Sequence, residues 1–457
     1  MSAGARDTIA AIATATGPAG VAIVRISGPE AHRIARIVCP DLPEVPRARY
    51  LYHRDFVDGE GQILDRGLVA LFRAPHSMTG EDVAELHGHG GRLAATALLR
   101  RVLEAGARLA RPGEFSRRAV EAGKMDLAQA EGIAAMVAAG SEAALRAARA
   151  VMGGTLSRRL ETLSGEIEAL LAEWEACRDF PDETGEVDEA GWARRLERLT
   201  EAVAALAETW KVGRRVAGVP RIVLLGPPNA GKSSLFNALV GWEKAIVDAA
   251  PGTTRDPVEA RLFLGEVEVE LVDGAGLREA AGPVERQGIA RTEEAATGAM
   301  AVVLVFDGHA APPADWRHWR ERYAPALWVL GKADLGLSEA WAAALAQRLP
   351  ERGEALRVSA RTGRGVEALR ARLREAVEAA LPDAGFTGLC LERHYDGVRA
   401  AAEALAAAGE ALAGGAALDA ACEGLREARG ALDEVLGRTL LPDETLDRIF
   451  ARFCIGK

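Results

Sequence analysis

Paired cysteines are missing from this sequence: Cys39, Cys177, Cys390, Cys422 and Cys454 are five in number, scattered, and never in a C-x-x-C pair. Neither a disulfide framework nor a zinc site is indicated, and the expected setting is a reducing cytoplasm. Long uncharged apolar runs are also missing, and residues 1 to 25 lack a basic start leading into an apolar stretch. The expectation is a soluble protein without a leader or a membrane span. Excess positive charge is absent as well. A formal net charge of -10 argues against a protein that coats nucleic acid by bulk electrostatics, while leaving room for a local basic surface.

What the sequence does have is length and three changes of texture. At 457 residues it should divide into roughly two to four domains, each with its own core. Up to about residue 118, short β-like runs such as "VAIVRIS" and "GLVALFRA" alternate with glycine turns and helical patterns, which reads as a small α/β or α+β domain. Residues 119–216 turn to Ala, Leu, Glu and Arg at helical spacing, the pattern of a helical bundle. Residues 217–380 bring "RIVLLG", "VEARLFL", "VEVELVD", "AVVLVFD", "ALWVLG" and "ALRVSA", the strands of an α/β sheet. Residues 381–457 resume the helical texture. The economical reading is a helical domain interrupted by an inserted α/β domain, with two separate bundles as the alternative.

The inserted segment carries ordered chemistry. "RIVLLG" runs into "GPPNAGKSS", satisfying G-x-x-x-x-G-K-S between a strand and a helix. Gly226 and Gly231 let backbone N–H groups turn toward phosphate, Lys232 neutralises the β and γ phosphates, and the Ser233 hydroxyl is a Mg²⁺ ligand. "PGTTRD" offers Thr254 to complete the Mg²⁺ shell. "LVDGAG" puts Asp273 near the metal and Gly276 near the γ-phosphate. "GKAD" resembles the guanine-reading N-K-x-D: Asp334 accepts both N–H groups of the guanine edge and the Lys332 stem covers the base. "SAR" closes the base pocket. Together these predict a Ras-like P-loop G domain. Its GTP contacts are expected from Asn229, Ala230, Gly231, Lys232, Ser233 and Ser234; from Asp248, Ala249, Ala250, Pro251, Gly252, Thr253 and Thr254; from Asp273, Gly274, Ala275 and Gly276; from Lys332, Ala333 and Asp334; and from Ser359, Ala360 and Arg361.

Three departures stand out. Gly331 replaces the usual Asn, removing a side chain that ties the base loop to the phosphate loop. Gly274 replaces the usual Thr of D-T-A-G. Leu277 stands where Ras-type enzymes place a water-orienting Gln, and leucine cannot orient water. Glu279 and Glu285 are the nearest downstream acids, and spacing alone does not choose between them.

Across essentially its whole length the chain resembles the MnmE (TrmE) family of tRNA-modifying GTPases, through "DTIAAIATATGPAGVAIVRISG", "SMTGEDVAELHGHGG", "RPGEFSRRAVEAGKMDLAQAE", "DFPDE", "GPPNAGKSSLFNAL", "PGTTRD", "GAGLREAAGPVERQGI" and the terminal "FCIGK". The resemblance implies a folate-binding, dimer-forming N-terminal domain, a helical domain, and a G domain inserted within it. It implies K⁺-stimulated GTP hydrolysis as G domains pair across a homodimer. Asn229, Asp248, Ala250 and Thr253 would hold K⁺ where an arginine finger would place its charge, and Glu285 would orient water. Asp248 departs from the neutral hydroxyl residue expected there. Arg25, Glu85, Lys124 and Lys457 match folate-contacting positions for a tetrahydrofolate derivative (5,10-methylene or 5-formyl form), with Met78 where the family has an aromatic. His87 and His89 read as part of a glycine-rich turn near that site, with no third ligand for a metal. The family works with MnmG, an FAD-dependent partner, on the wobble uridine of certain tRNAs, adding an aminomethyl-type group. A regulatory GTP switch and a scaffold with a decayed nucleotide site are the rivals.

The terminal Cys454-Ile455-Gly456-Lys457 outlines a lipidation box, but Gly456 and Lys457 fit it poorly and no polybasic patch precedes it. The resemblance turns this tail toward the folate site, with Cys454 a candidate nucleophile or acid/base group.

Overall fold

The computed structural model describes residues 7–15, 17–180, 188–215, 219–241, 259–265, 267–274, 296, 299–323, 326–346, 355–380, 386–413, 418–439 and 442–456. These resolve into two units. One comprises Met1–Ala134, Val151–Ala204 and Asp396–Lys457, and the other comprises Ala135–Ala150 and Ala205–Tyr395.

The first unit is built on six strands, β1 (Ile9–Ile12), β2 (Ala19–Ser27), β3 (Leu51–Val57), β4 (Ile63–Phe72), β5 (Val83–Gly90) and β6 (Arg108–Leu109), in the order β3-β4-β5-β2-β1-β6. All neighbours are antiparallel except β1 and β6. Alternate residues of the central strands, Val24 and Ile26 on β2 and Leu86 on β5, bury against Ile34 of the Ala31–Val38 helix and Leu98 of the Arg92–Glu104 helix. Each such side chain contributes about 1.5–3 kcal/mol by leaving water. "HGHGG" is not the turn its glycines suggested: it continues β5 to Gly90. Its glycines answer close approach, since a Cβ on Gly88 would lie 2.6 Å from Asp65 Oδ2 and one on Gly90 2.1 Å from Ala19 O.

In the same unit the two distant helical stretches pack as one body. The Thr155–Asp179 helix buries Leu160, Ile167, Leu170 and Trp174, and the Leu418–Leu436 helix buries Leu425, Leu432 and Val435. Between them Ser164 Oγ donates to Asp433 Oδ1 at 3.1 Å and Arg426 pairs with Glu175. The two helices cover each other's apolar faces.

The second unit holds the other sheet, β7 (Arg221–Leu225), β8 (Glu259–Leu264), β9 (Val267–Asp273), β10 (Ala301–Asp307), β11 (Ala326–Gly331) and β12 (Leu356–Arg357), in the order β12-β11-β10-β7-β9-β8. It is parallel throughout save for β8 against β9. The central strands β7, β10 and β11 read as near-continuous apolar runs because both faces are covered, whereas β8 and β9 alternate. Ile222, Leu224, Val303 and Val305 face the Lys232–Gly241 and Val366–Ala380 helices, while Val223, Leu225, Leu304 and Phe306 face Trp316, Trp328 and Trp341. Strand β12 is shorter than "ALRVSA" suggested. Ser359 leaves the ladder because its N–H donates to Arg364 O and its hydroxyl accepts from Thr362 N–H, closing a turn. Among the described residues no helix is long and apolar enough to cross a membrane.

Candidate functional site

The parallel strands of the second unit end along one edge, and the expected phosphate and base residues sit at those ends, as ligand sites do in open α/β sheets. β7 stops at Leu225, and Gly226 follows at φ +148°, where a Cβ would lie 2.0 Å from Val305 O. The loop continues through Asn229 and Gly231, both left-handed at φ 61° and 94°, into the Lys232–Gly241 helix. Backbone N–H groups at that helix start, reinforced by its dipole, favour an anion. Lys232 is buried, and its ammonium donates to Gly226 O at 2.9 Å and Pro227 O at 2.8 Å, so the lysine is folded against its own loop. Ser233 and Ser234 stand exposed on the first turn, and Ala230 is buried beneath the loop.

Beside this loop, β9 pairs with β7 so that Asp273 lies level with Leu224. Asp273 is buried at the strand end. Gly274 N–H donates to Leu224 O at 2.9 Å, and a Cβ there would meet Leu224 O at 2.5 Å and Leu225 Cδ2 at 2.8 Å. The glycine in place of threonine is therefore fitted to a close crossing of two strands. Asp248 through Thr254, Ala275, Gly276, Leu277, Glu279 and Glu285, expected from the sequence to contribute here, lie outside the described residues.

The base loop is assembled from three strand ends. Ser359 Oγ donates to Asp334 Oδ1 at 2.7 Å, and Arg361 Nε lies 3.3 Å from Asp334 Oδ2. The Ser359 hydroxyl is the leading cause that holds the Asp334 carboxyl below its usual range, overcoming the opposing effect of burial, with Arg361 adding to it. Ala333 N–H donates to Val358 O at 3.1 Å. Lys332, left-handed at φ 58°, extends its ammonium to Asp307 Oδ2 at 2.7 Å. Asp307 was not among the residues the sequence singled out; its signal is a carboxylate at the end of "VLVFD", in the same strand-end position as Asp273. Ala360 completes the turn without a polar contribution of its side chain.

The first unit gathers a second set. On facing positions of β2 and β5, Arg25 Nε donates to Glu85 Oε1 at 2.9 Å. The same guanidinium donates from Nη1 to the backbone carbonyl of Gly456 at 3.1 Å and to Met78 Sδ at 3.2 Å, above the Phe115 ring at 5.8 Å. Met78 packs with Ile9, Ala11, Ala110 and Phe115, so its thioether fills the space an aromatic was expected to occupy. His87 Nε2 lies 3.3 Å from Glu85 Oε2; that hydrogen bond is the largest cause keeping the Glu85 carboxyl below its usual range, outweighing burial and joined by Arg25. Lys124 reaches the adjacent Met78–Gly80 loop, where its Cε lies 3.3 Å from a Cβ placed on Gly80. Arg25, Glu85 and the tail carbonyl thus meet directly, and Lys124 lies against Gly80, two residues from Met78. Cys454 is exposed next to this tail, and Lys457 lies outside the described residues.

The tail is docked by shape as well. A Cβ on Gly456, at φ +95°, would lie 2.4 Å from Ile12 O, and one on Gly113 2.7 Å from Phe450 O. Phe450 and Phe453 pack with tilted rings, centroids 5.0 Å apart, within a cluster that includes Leu127 and Ala130.

Known proteins share this arrangement of segments. A model described as the GTP-binding protein TrmE N-terminus matches residues 8–124, and one described as the MnmE helical domain matches residues 127–454, a span that contains the nucleotide-type sheet. The tRNA modification GTPase MnmE of Myxococcus xanthus is 44% identical over 458 residues, covering 98% of this chain and 99% of its own. That of Caulobacter vibrioides is 42% identical over 457 residues, covering 99% and 100%. Among solved structures, Aquifex aeolicus Era bound to GDP.AlF4- is similar at 20% identity over 41% of this chain and 66% of its own, with a TM-score of 0.29. Matched end to end by these relatives and by both domain models, the chain belongs to the MnmE family of tRNA modification GTPases.

Proposed function

We propose that this chain couples K⁺-stimulated GTP hydrolysis to folate-dependent modification of the wobble uridine of certain tRNAs, as a cytoplasmic homodimer working with the FAD-dependent MnmG. The hydrolysis of GTP follows from its family. The observation that carries guanine as the base is the carboxylate of Asp334, oriented by Ser359 and flanked by Lys332 at the rim of the phosphate loop. An ionised carboxylate fixed in one orientation accepts paired N–H donors, which guanine presents and adenine does not.

Hydrolysis then depends on positioning. Lys232 exchanges its loop carbonyls for the β and γ phosphates, a stronger partner for an ammonium. The Ser233 hydroxyl and the Asp273 carboxylate, at the ends of neighbouring segments, are hard oxygen donors that suit Mg²⁺, and Thr254 would join them. When bound, Mg²⁺ neutralises charge gathering on the γ-phosphoryl group. For K⁺, the amide oxygen of Asn229, on the left-handed turn of the loop, is the described donor, and Asp248, Ala250 and Thr253 complete the proposed set. K⁺ supplies the positive charge an arginine finger would bring. Glu285 orients the attacking water in place of the missing Gln.

Around Arg25, a carboxylate held ionised suits the N–H groups of a pterin, and Arg25, Lys124 and Lys457 suit the glutamate tail of a folate. When bound, a methylene-folate supplies the one-carbon unit. Glu85 holds the ring, Arg25 ties ring site to chain tail, and Cys454 is the proposed nucleophile or acid/base group. The boundaries 1–118, 119–216, 217–380 and 381–457 belong to the same proposal.

The experiment is GTP hydrolysis in K⁺ against Na⁺, with Glu285→Ala alongside. Stimulation by K⁺ and loss of turnover in the variant are expected; equal rates in both salts and a fully active variant would overturn the mechanism. For the tRNA step, Cys454→Ser is expected to abolish the wobble modification in cells while leaving GTP hydrolysis intact.

A further inference from the structure

The N-K-x-D pattern uses its Asn to hold the base loop against the phosphate loop, and this chain has Gly331 there. The two loops are nonetheless in contact. A Cβ on Gly331 would sit 3.0 Å from Ala230 O and 3.5 Å from Phe306 O, so the base loop runs closer to the phosphate loop than a side chain at 331 comfortably allows. Something other than that side chain must hold the loop in register.

The neighbouring strand end does so. β10 and β11 run parallel with Asp307 level with Gly331. Gly308 N–H donates to Gly331 O at 3.0 Å, and Ser338 N–H donates to Gly308 O at 2.9 Å, which links the β10 exit to both sides of the base loop. Asp307 is itself held from every direction. Its Oδ1 accepts from His309 N–H at 2.9 Å and Ala310 N–H at 3.3 Å, and its backbone carbonyl accepts from the Trp341 indole at 2.9 Å. Its remaining oxygen, Oδ2, takes the Lys332 ammonium at 2.7 Å. Both side chains are partly buried, at 23% and 38% exposure, so the pair is less screened than a surface ion pair.

From this geometry we infer that Asp307 is a positioning residue for guanine recognition, anchoring the Lys332 side chain and the base loop in place of the missing asparagine. The inference rests on the guanine reading of the Gly331–Asp334 loop. Lys332 on a four-carbon stem would otherwise sample many rotamers, and fixing its ammonium on Asp307 leaves the stem extended before the base arrives. Nucleotide binding then does not carry that ordering cost.

The test is Asp307→Asn in the full chain, read by mant-GDP binding, by mant-GDP release and by melting of the nucleotide-free protein. Asparagine keeps an oxygen for His309 and Ala310 N–H but puts an amide against the Lys332 ammonium. The expected result is about tenfold weaker mant-GDP binding, mainly through faster release, with little change in melting. In a Lys332→Met background the same substitution should cost nothing further, because its partner is gone; a purely structural Asp307 would cost the same in both backgrounds. Unchanged mant-GDP affinity in Asp307→Asn, or equal losses with and without Lys332, overturns the inference. Asp334→Asn, run alongside, separates the two levels. If it too leaves mant-GDP affinity unchanged, the guanine reading itself has failed.

Discussion

Ser359 donates its hydroxyl to Asp334 Oδ1 at 2.7 Å, which sets one carboxylate oxygen and thereby the direction in which the pair faces the pocket. Replacing Asp334 by Asn exchanges an acceptor for a donor, which suits the additional carbonyl of xanthine. Asp334→Asn is expected to weaken GDP binding by roughly a hundredfold and to favour xanthosine diphosphate, measured by competition against mant-GDP. Ser359→Ala should give a smaller loss, about three- to tenfold, with guanine preference retained.

Gly226 cannot accept a side chain. At φ +148°, with Val305 O 2.0 Å from where a Cβ would stand, Gly226→Ala forces β7 and β10 apart or the phosphate loop out of its turn. The expected cost is about 2 kcal/mol or more, visible as a lowered melting temperature together with lost nucleotide binding.

Besides its apolar contacts, the Asp443–Phe450 helix takes two ion pairs from one guanidinium. Arg117 donates to Asp443 Oδ1 and Asp447 Oδ1, each at 2.6 Å, and to Glu121 Oε1 at 2.9 Å. The aspartates are exposed, so global stability should change by less than about 1 kcal/mol in Arg117→Ala. Hydrogen exchange over residues 443–456 should accelerate, because the apolar contacts of Phe450 and Phe453 then hold the segment without the ion pairs. Unchanged exchange would mean that apolar docking alone suffices.

Acid should reach the N-terminal unit through Asp7. Its hydrogen bond from Arg108 is the leading cause that lowers its pKa from 3.8 to about 2, against burial and with help from Arg118. The folded value lies below the unfolded one, so the stabilisation is complete above pH 3.8 and is lost as pH falls toward 2. The difference in melting temperature between wild type and Asp7→Asn should be constant above that window and shrink within it.

Much of the candidate nucleotide site could be proposed from the sequence because its expected determinants are local. Glycines that turn a loop, a lysine at a helix start and an acid at a strand end act within a few residues of one another, so Gly226, Gly231, Lys232, Asp273 and Asp334 could be named from spacing. Glycine read wrongly where its reason was not local. "HGHGG" suggests a turn, yet Gly88 and Gly90 lie in a strand because Asp65 and Ala19 approach them from elsewhere in the sheet. Gly331 lacks the side chain expected there, and only the fold places it close to Ala230 O and sets Lys332 against Asp307.

The sequence by itself determined the periodicities of strand and helix and the residue types that stand at the strand ends and in the glycine-rich loop, because these follow from local geometry and residue chemistry. Tertiary structure alone decided which distant groups share a site. The carbonyl of Gly456 receives the Arg25 guanidinium across 431 residues of chain, and Ser164 meets Asp433 across 269. No local pattern encodes such pairings. They exist because burying two amphipathic helical halves against each other, and seating the tail against β1 and its neighbours, outweighs the entropy of closing very long loops, a cost that grows only with the logarithm of their length.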